Sequence, residues 1–194
     1  MSCHPSTGPL VLTIEQEMCR LLNFPDSILC KLFGWTVAMG ENQLPPVCIL
    51  SNVCRHWRVL SIDCPLLWTD IHIPIELYDP LVFFERSAPA LFNVTFNSVW
   101  MQDRDIHAHV SKAILNNVSR LRCLTIEVTL FDEIAPIFEA WRDSDTPNLI
   151  DLGITCHDNS EPEKEIIATS LRCGDSLNRV KLKGLRLGFL PVLR

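Results

Sequence analysis

Residues 121–126 read Leu121-Arg122-Cys123-Leu124-Thr125-Ile126, with an apolar residue at the first, fourth and sixth positions. The same spacing of apolar residues begins at Leu91, at Leu149 and at Leu177, so the four starts lie 30, 28 and 28 residues apart. Short runs in which apolar and polar residues alternate are typical of half-buried β-strands. The sequence therefore predicts four similar strands at a nearly constant interval.

An amphipathic segment lies between each pair of these strands. The apolar residues that recur at helical spacing are Ile106, Val110, Ala113 and Ile114, then Ile134, Ile137, Phe138 and Trp141, then Ile166, Ile167 and Leu171. This alternation predicts helix-strand units of about 28 residues, stacked so that neighbours share a core. An ordinary α/β domain with an open parallel sheet is the alternative, because its units have a similar size.

Helical patterns come before the strands. Thr13 and Gln16 form a capping-box pattern, which predicts a short helix that ends near Asn23. Pro25 and Asp26 then open a second helix. We expect that helix to end at Gly34, because glycine is common just past the last helical turn.

A second apolar stripe follows a loop-like stretch over residues 40–46. Its members are Leu50, Val53, Cys54, Trp57 and Leu60. The spacing predicts one continuous helix that Pro65 closes. Trp68, Ile71 and Ile73 then predict a short strand before Pro74.

The composition favours a folded protein that binds neither nucleic acid nor nucleotides. Of the 194 residues, 47% are hydrophobic and 21% are charged, which excludes a disordered or fibrous chain. The 17 Lys and Arg against 23 Asp and Glu give a net charge of -6, so no general attraction to phosphate backbones is expected. The seven glycines form no phosphate-binding motif.

The cysteines and the apolar runs bear on the compartment. The nine cysteines are an odd number without a CxxC pair, so we expect them to be reduced. No secretory signal pattern opens the chain, and no run reaches the roughly 18 apolar residues that would span a bilayer. These features predict a protein of the cytoplasm or the nucleus that does not contact a membrane.

Three segments of the N-terminal part resemble the F-box. They are residues 24–33, residues 50–60 and Pro65-Leu66-Leu67-Trp68. The most specific part is Val53-Cys54-x-x-Trp57-Arg58, which Pro65-x-x-Trp68 follows. Taken with the strands downstream, the chain resembles F-box proteins with a leucine-rich-repeat-like C-terminal part, of the kind numerous in fungi.

The resemblance implies three parts and an α+β or α/β fold. An N-terminal extension with a short helix covers residues 1–23, and a small helical F-box-like domain covers residues 24–73. Leucine-rich-repeat-like α/β units with a short parallel sheet cover residues 74–194. Apolar residues crowd the last ten positions without a polar capping unit, so we expect exposed apolar surface there or a shortened member of a longer class.

The resemblance also implies a function by binding alone, with no enzymatic reaction and no cofactor. Such a chain is a substrate receptor of a Skp-cullin-RING ubiquitin ligase, whose F-box helices dock on a Skp-family adaptor. The positions carried over to adaptor contact are Phe24, Pro25, Ile28, Leu29, Leu32, Leu50, Val53 and Trp57. About half of these side chains are expected to belong to the core instead, and Pro25 and Ile28 are the strongest candidates for contact.

Alternate strand residues point away from the apolar layer and would line an open face of the sheet. The candidates for contact with a protein substrate are Asn93, Thr95, Thr125, Glu127, Asp151, Thr155, Arg179, Lys181 and Lys183. The cations at the end of this series could attract an acidic or phosphorylated substrate. The alternative is that alternating polar residues only keep an exposed strand hydrated.

Two other functions remain open at this point. An interaction protein could keep the F-box without any role in a ligase, since adaptor and substrate use different surfaces. An α/β enzyme would need a nucleophile, a base and an orienting group, and no such set is suggested. His107 and His109 are two residues apart on a predicted helix and would point to different faces, so they do not predict a metal site.

Overall fold

The computed structural model describes residues 24–40, 44–73, 79–98, 104–130, 145–157, 165–166, 172–173, 176–184 and 186–187. The helices are α1 (Asp26–Met39), α2 (Pro46–Val53), α3 (Arg55–Ile62), α4 (Leu81–Arg86) and α5 (Arg104–Asn116), with 3-10 turns at Pro65–Trp68 and Val118–Arg120. The strands are β1 (Asp70–Ile73), β2 (Phe92–Asn97), β3 (Leu121–Val128), β4 (Asp145–Thr146), β5 (Asp151–Cys156), β6 (Glu165–Ile166), β7 (Arg172–Cys173), β8 (Arg179–Lys183) and β9 (Arg186–Leu187).

Five of the strands form one parallel sheet in the order β1-β2-β3-β5-β8. The short strands pair separately, β4 with β7 and β6 with β9. Each strand of the large sheet after β1 pairs with the strand of that sheet that precedes it in the chain. The predicted mixture of helix and strand with a short parallel sheet is therefore confirmed.

A bulge explains the unusual spacing of apolar residues in β3. Phe92 lies opposite Leu121, but Asn93 lies opposite Cys123, so β3 holds Arg122 as an extra residue. Leu121 and Leu124 can therefore both be buried. The predicted starts at Leu91, Leu149 and Leu177 were wrong, because β2, β5 and β8 begin at Phe92, Asp151 and Arg179. The side chain of Leu91 is exposed, while the ring of Phe92 is fully buried.

One continuous hydrophobic core joins the helices to the sheet. It runs from Leu29 and Phe33 on α1 to Ile154 on β5. Trp68 lies between these regions, and its ring packs edge-on against Phe83 with the ring centroids 5.1 Å apart. The predicted boundary at residue 73 falls between two hydrogen-bonded strands, since β1 pairs with β2.

Two helix boundaries differ from the sequence prediction. Helix α1 continues past Gly34 to Met39, where Val37 packs against the core, and one interior glycine costs a helix only about 1 kcal/mol. The single helix expected over residues 50–60 is two helices, α2 and α3, which meet at Cys54. Cys54 is extended, with φ -156° and ψ 170°, and its sulfur accepts a 3.4 Å hydrogen bond from the backbone N–H of Trp57.

Several other predictions concern residues at the margins of the described structure. Ile166 lies in strand β6 instead of the predicted helix, which agrees with the strand preference of β-branched residues. On β8, the side chain of Val180 is exposed. The expectation of exposed apolar surface over the last ten positions concerns side chains outside the described structure. The predicted helices before residue 24 and over residues 134–141 lie outside the described residues, as do residues 188–194.

Candidate interaction surfaces

The eight residues predicted to contact the adaptor divide between the core and the surface of α1–α3. Leu29 and Leu50 are buried in the common core, so they offer no surface to a partner. Leu32 and Trp57 are half-buried. The four that are exposed are Phe24, Pro25, Ile28 and Val53.

The apolar surface of α1 extends further than the sequence predicted. Ile28, Leu32, Trp35 and Met39 are spaced by four, three and four residues, so they lie on one face of the helix, here called the α1 stripe. Ile28 is 40% exposed, Trp35 66% and Met39 82%. Trp35 and Met39 were missed because the helix was expected to end at Gly34.

Polar contacts fix the helices that carry this surface. The Nε2 atom of His56 on α3 lies 3.1 Å from Oδ1 of Asp26 at the start of α1. The guanidinium of Arg58 donates to the carbonyl oxygen of Ser51 at 2.9 Å and to Oδ1 of Asn52 at 3.3 Å. The α1 stripe is therefore presented on a helix that is tied to its neighbours.

Trp57 anchors the inner side of the same helices. Its ring lies 4.8 Å from that of Phe33, centroid to centroid, at an interplanar angle of 58°. The indole Nε1 atom is buried and has no hydrogen-bond partner among the described residues. A buried donor left unpaired costs about 1–3 kcal/mol, so the packing of this ring must outweigh that loss.

The second surface is the side of the five-stranded sheet opposite the core, here called the polar face. The strand register arranges its side chains in three rows that cross the sheet. The rows are Asp70, Asn93, Cys123, Asp151 and Arg179, then His72, Thr95, Thr125, Gly153 and Lys181, then Asn97, Glu127, Thr155 and Lys183. All nine residues predicted to face a substrate lie in these rows.

The carboxylates on β1 and β3 are engaged by neighbouring strands. The side-chain amide of Asn93 donates to Asp70 across β1 and β2. Asn97 donates to Oε2 of Glu127 at 3.0 Å, and the Nε2 atom of His157 lies 2.7 Å from Oε1 of the same carboxylate. These carboxylates hold the polar face together.

The cations on β8 are arranged differently. Arg179, Lys181 and Lys183 are all exposed, and Oδ1 of Asp151 lies 3.6 Å from Nε of Arg179. Among the described residues no carboxylate pairs with Lys181 or Lys183. In their rows, the neighbouring residue on β5 is Gly153 or Thr155, neither of which carries charge. Positive charge is therefore concentrated at one edge of the polar face.

A ladder of side-chain donors precedes the strands and was not predicted. Arg120 donates to the carbonyl oxygens of Ala90 at 3.0 Å and Phe84 at 2.9 Å. Asn148 donates to Ser119 O at 2.7 Å, and Ser176 donates to Pro147 O at 2.7 Å. Arg120, Asn148 and Ser176 are 28 residues apart and each stands immediately before a leucine of the strand pattern. Their common position was the sequence signal that could have revealed them.

Among the described residues, burial shifts the pKa of two side chains. Burial raises the pKa of the Cys30 thiol. The pKa is raised further by Cys64, which shares a hydrogen bond with the thiol, and by the nearby charge of Asp26. Burial also lowers the pKa of Arg120, whose guanidinium remains protonated near neutral pH. Neither group has the neighbouring base and orienting group that a catalytic site would combine.

The part of the chain that the structure describes contains no group of three potential metal ligands. None of its helices is both long enough and apolar enough to cross a bilayer. Comparison with protein-family models, with curated proteins and with solved structures finds no match for this chain.

Proposed function

We propose that this chain is an F-box substrate receptor of a Skp-cullin-RING ubiquitin ligase. In this proposal α1–α3 bind a Skp-family adaptor, and the helix-strand units downstream hold a protein substrate on the polar face. The chain would act in the cytoplasm or the nucleus and would catalyse no reaction itself. The proposal rests first on the apolar surface of the helices.

The α1 stripe is the observation that carries the proposal. Three large apolar side chains, Ile28, Trp35 and Met39, are exposed on one helix face at i, i+7 and i+11. Helices that dock in the groove of a partner use anchors of this spacing. Contiguous apolar surface of this kind is uncommon on proteins that work alone. A partner that covers the stripe would remove the cost of its exposure to water.

The ladder before the strands supports the leucine-rich-repeat-like part of the proposal. Arg120, Asn148 and Ser176 each donate from one unit to the backbone of the unit before it. Equivalent contacts at an interval of 28 residues are what stacked units would make, since each unit contacts only its neighbours. Such a stack presents an extended face, which suits recognition of a protein substrate.

Co-purification with a Skp-family adaptor tests the proposal. Ile28→Asp places a carboxylate on the α1 stripe, and Leu91→Asp is the matched control, because both wild-type side chains are 40% exposed. We expect a one-to-one complex for the wild type and for Leu91→Asp, and no complex for Ile28→Asp. Circular dichroism verifies that each variant is folded.

Two results would contradict the proposal. One is that the folded wild-type chain binds no adaptor at all. The other is that Ile28→Asp binds as tightly as the wild type, since the α1 stripe would then not be the contact surface. Adding Trp35→Asp and Pro25→Ala as separate variants maps how far the contact extends along α1.

A further inference from the structure

We infer that Arg179, Lys181 and Lys183, together called the β8 cations, bind an extended acidic segment of a protein substrate. The recognised chemistry is a row of carboxylates at every second residue. The inference names the class of substrate that the receptor would bind. Calling the acidic segment a substrate rests on the proposed function. Its physical basis is the geometry of β8 and of its neighbour β5.

The β8 cations have the spacing of an extended peptide. Alternate residues of a strand lie on one face, about 6.5 Å apart at the usual rise per residue. An extended segment with a carboxylate at every second residue repeats at the same distance. Three ion pairs can therefore form in one register without bending either chain, and each pair fixes the position of the next.

The charge of Lys181 and Lys183 is not used within the described structure. Gly153, beside Lys181, has no side chain, and Thr155, beside Lys183, is neutral. Arg179 is only partly neutralised, because its 3.6 Å contact with Asp151 is made between two exposed side chains. Among the described residues, only one of the three cations, Arg179, has an acidic partner. The row is therefore complementary to an acidic group on another molecule.

The rest of the chain favours contact at this edge over contact elsewhere. The net charge of the whole chain is -6, so an acidic segment is repelled from most of its surface. On the polar face, Asp70 lies on the opposite edge strand and Glu127 on the central strand. Both carboxylates are already bound, Asp70 by Asn93 and Glu127 by Asn97 and His157. An acidic segment would therefore be directed to β8.

Gly153 provides a test that keeps every cation in place. A Cβ added there would meet Oγ1 of Thr125 at 3.6 Å and Cγ2 of the same residue at 3.7 Å, which are ordinary contacts. Gly153→Asp would set a carboxylate beside Lys181, where it competes with a bound acidic segment. Gly153→Asn has the same shape without the charge, so the pair separates electrostatic competition from steric obstruction.

The experiment measures the fluorescence anisotropy of a labelled peptide in which five Glu alternate with Thr, using the full chain without adaptor. We expect the wild type to bind at low ionic strength, and Gly153→Asp and the double variant Lys181→Glu, Lys183→Glu each to weaken binding at least about tenfold. Gly153→Asn should weaken binding less than Gly153→Asp. Lys112→Glu, which changes an exposed lysine on α5, should bind like the wild type.

Three results would overturn the inference. The first is that the folded wild type does not bind the alternating peptide. The second is that Lys181→Glu, Lys183→Glu binds as tightly as the wild type. The third is that a peptide with the five Glu in one block, or a single-stranded oligonucleotide of equal charge, binds equally well, which would indicate unspecific attraction of anions. Because no adaptor is present, the result is independent of whether α1–α3 bind one.

Discussion

The indole nitrogen of Trp68 donates a 2.7 Å hydrogen bond to the carbonyl oxygen of Ser61, which joins the 3-10 turn before the sheet to helix α3. On α4, the guanidinium of Arg86 lies 4.4 Å from the centroid of the Trp68 ring. Trp68 is thus shared by the N-terminal helices and by α4, which follows β1 in the chain. The two parts should therefore unfold together instead of one after the other.

Trp68→Phe tests this coupling. The substitution keeps an aromatic ring but leaves the Ser61 carbonyl without its buried donor, so we expect the free energy of unfolding to fall by about 1–3 kcal/mol. Urea titration monitored by helix signal and by tryptophan fluorescence should give one coincident transition. Trp35→Phe, at an exposed site, should change the free energy by less than about 0.5 kcal/mol. Two separate transitions would show that the parts fold independently.

Gly34→Ala should stabilise the protein. Gly34 lies inside α1, and a Cβ added there would meet no atom of the described chain within 4 Å. Alanine restricts the unfolded chain more than glycine, so we expect the free energy of unfolding to rise by about 0.5–1 kcal/mol. The measurement is the midpoint of thermal or urea unfolding.

Gly184→Ala is the matched variant for which we expect the opposite change, a fall in the free energy of unfolding. Gly184 has φ +74°, and a Cβ there would collide with the carbonyl oxygen of Cys156. We expect a loss of at least about 1 kcal/mol, because L-residues pay for this backbone conformation. If Gly34→Ala lowered stability as Gly184→Ala does, the assignment of Gly34 to an open position in a helix interior would be wrong.

Arg120→Ala should lower the free energy of unfolding by more than most substitutions of a half-buried residue do. The guanidinium donates to two backbone carbonyls and to Oδ1 of Asn117 at 2.8 Å, and it lies 5.1 Å from the ring centroid of Phe92. We expect the free energy of unfolding to fall by about 1.5–3 kcal/mol, as for hydrogen bonds to charged groups. Arg120→Lys should recover little of it, since an ammonium group cannot reproduce this fork of donors.

Arg122→Ala provides the comparison for Arg120 at a neighbouring position. Arg122 is exposed and makes a 3.0 Å hydrogen bond to Oδ1 of Asn93. Its removal should cost less than about 1 kcal/mol in the same urea titration. Equal losses for Arg120→Ala and Arg122→Ala would argue against a structural role for the ladder.

The raised pKa of Cys30 predicts that stability declines at alkaline pH. The unfolded thiol loses its proton first, above about pH 8.5, while burial keeps the folded thiol protonated. The free energy of unfolding should therefore fall as pH rises from there through the folded pKa. Cys30→Ser should flatten this part of the profile. An unchanged slope in that variant would show that Cys30 is not the source of the decline.

The sequence predicts the polar face better than it predicts the helical surface, and strand geometry is the reason. Side chains alternate across a strand, so the positions of Thr125 and Lys181 follow once the strands are recognised. The end of α1 depends on tertiary burial, which outweighs the weak preference of Gly34 against a helix. The split at Cys54 was missed because the apolar stripe continues in phase across the break.

The ladder was missed for a different reason. Arg120, Asn148 and Ser176 recur every 28 residues but are three different residue types, so their shared position is easily overlooked. The partner of each one belongs to the preceding unit. Asn148 is recognisable only when the position of Ser119 is known. The bulge at Arg122 was hidden in the same way, because it depends on the register of β3 against β2.

The order of the sheet, which follows the order of the chain, has a consequence for synthesis on the ribosome. Contacts between neighbouring strands join residues 23, 30 and 28 positions apart, so each strand emerges when its partner has already been made. The loops to be closed are short and similar in length, which keeps the entropic cost of each step low. The nascent sheet can therefore grow by one strand at a time from the helices outward, with a single unpaired edge advancing along the chain.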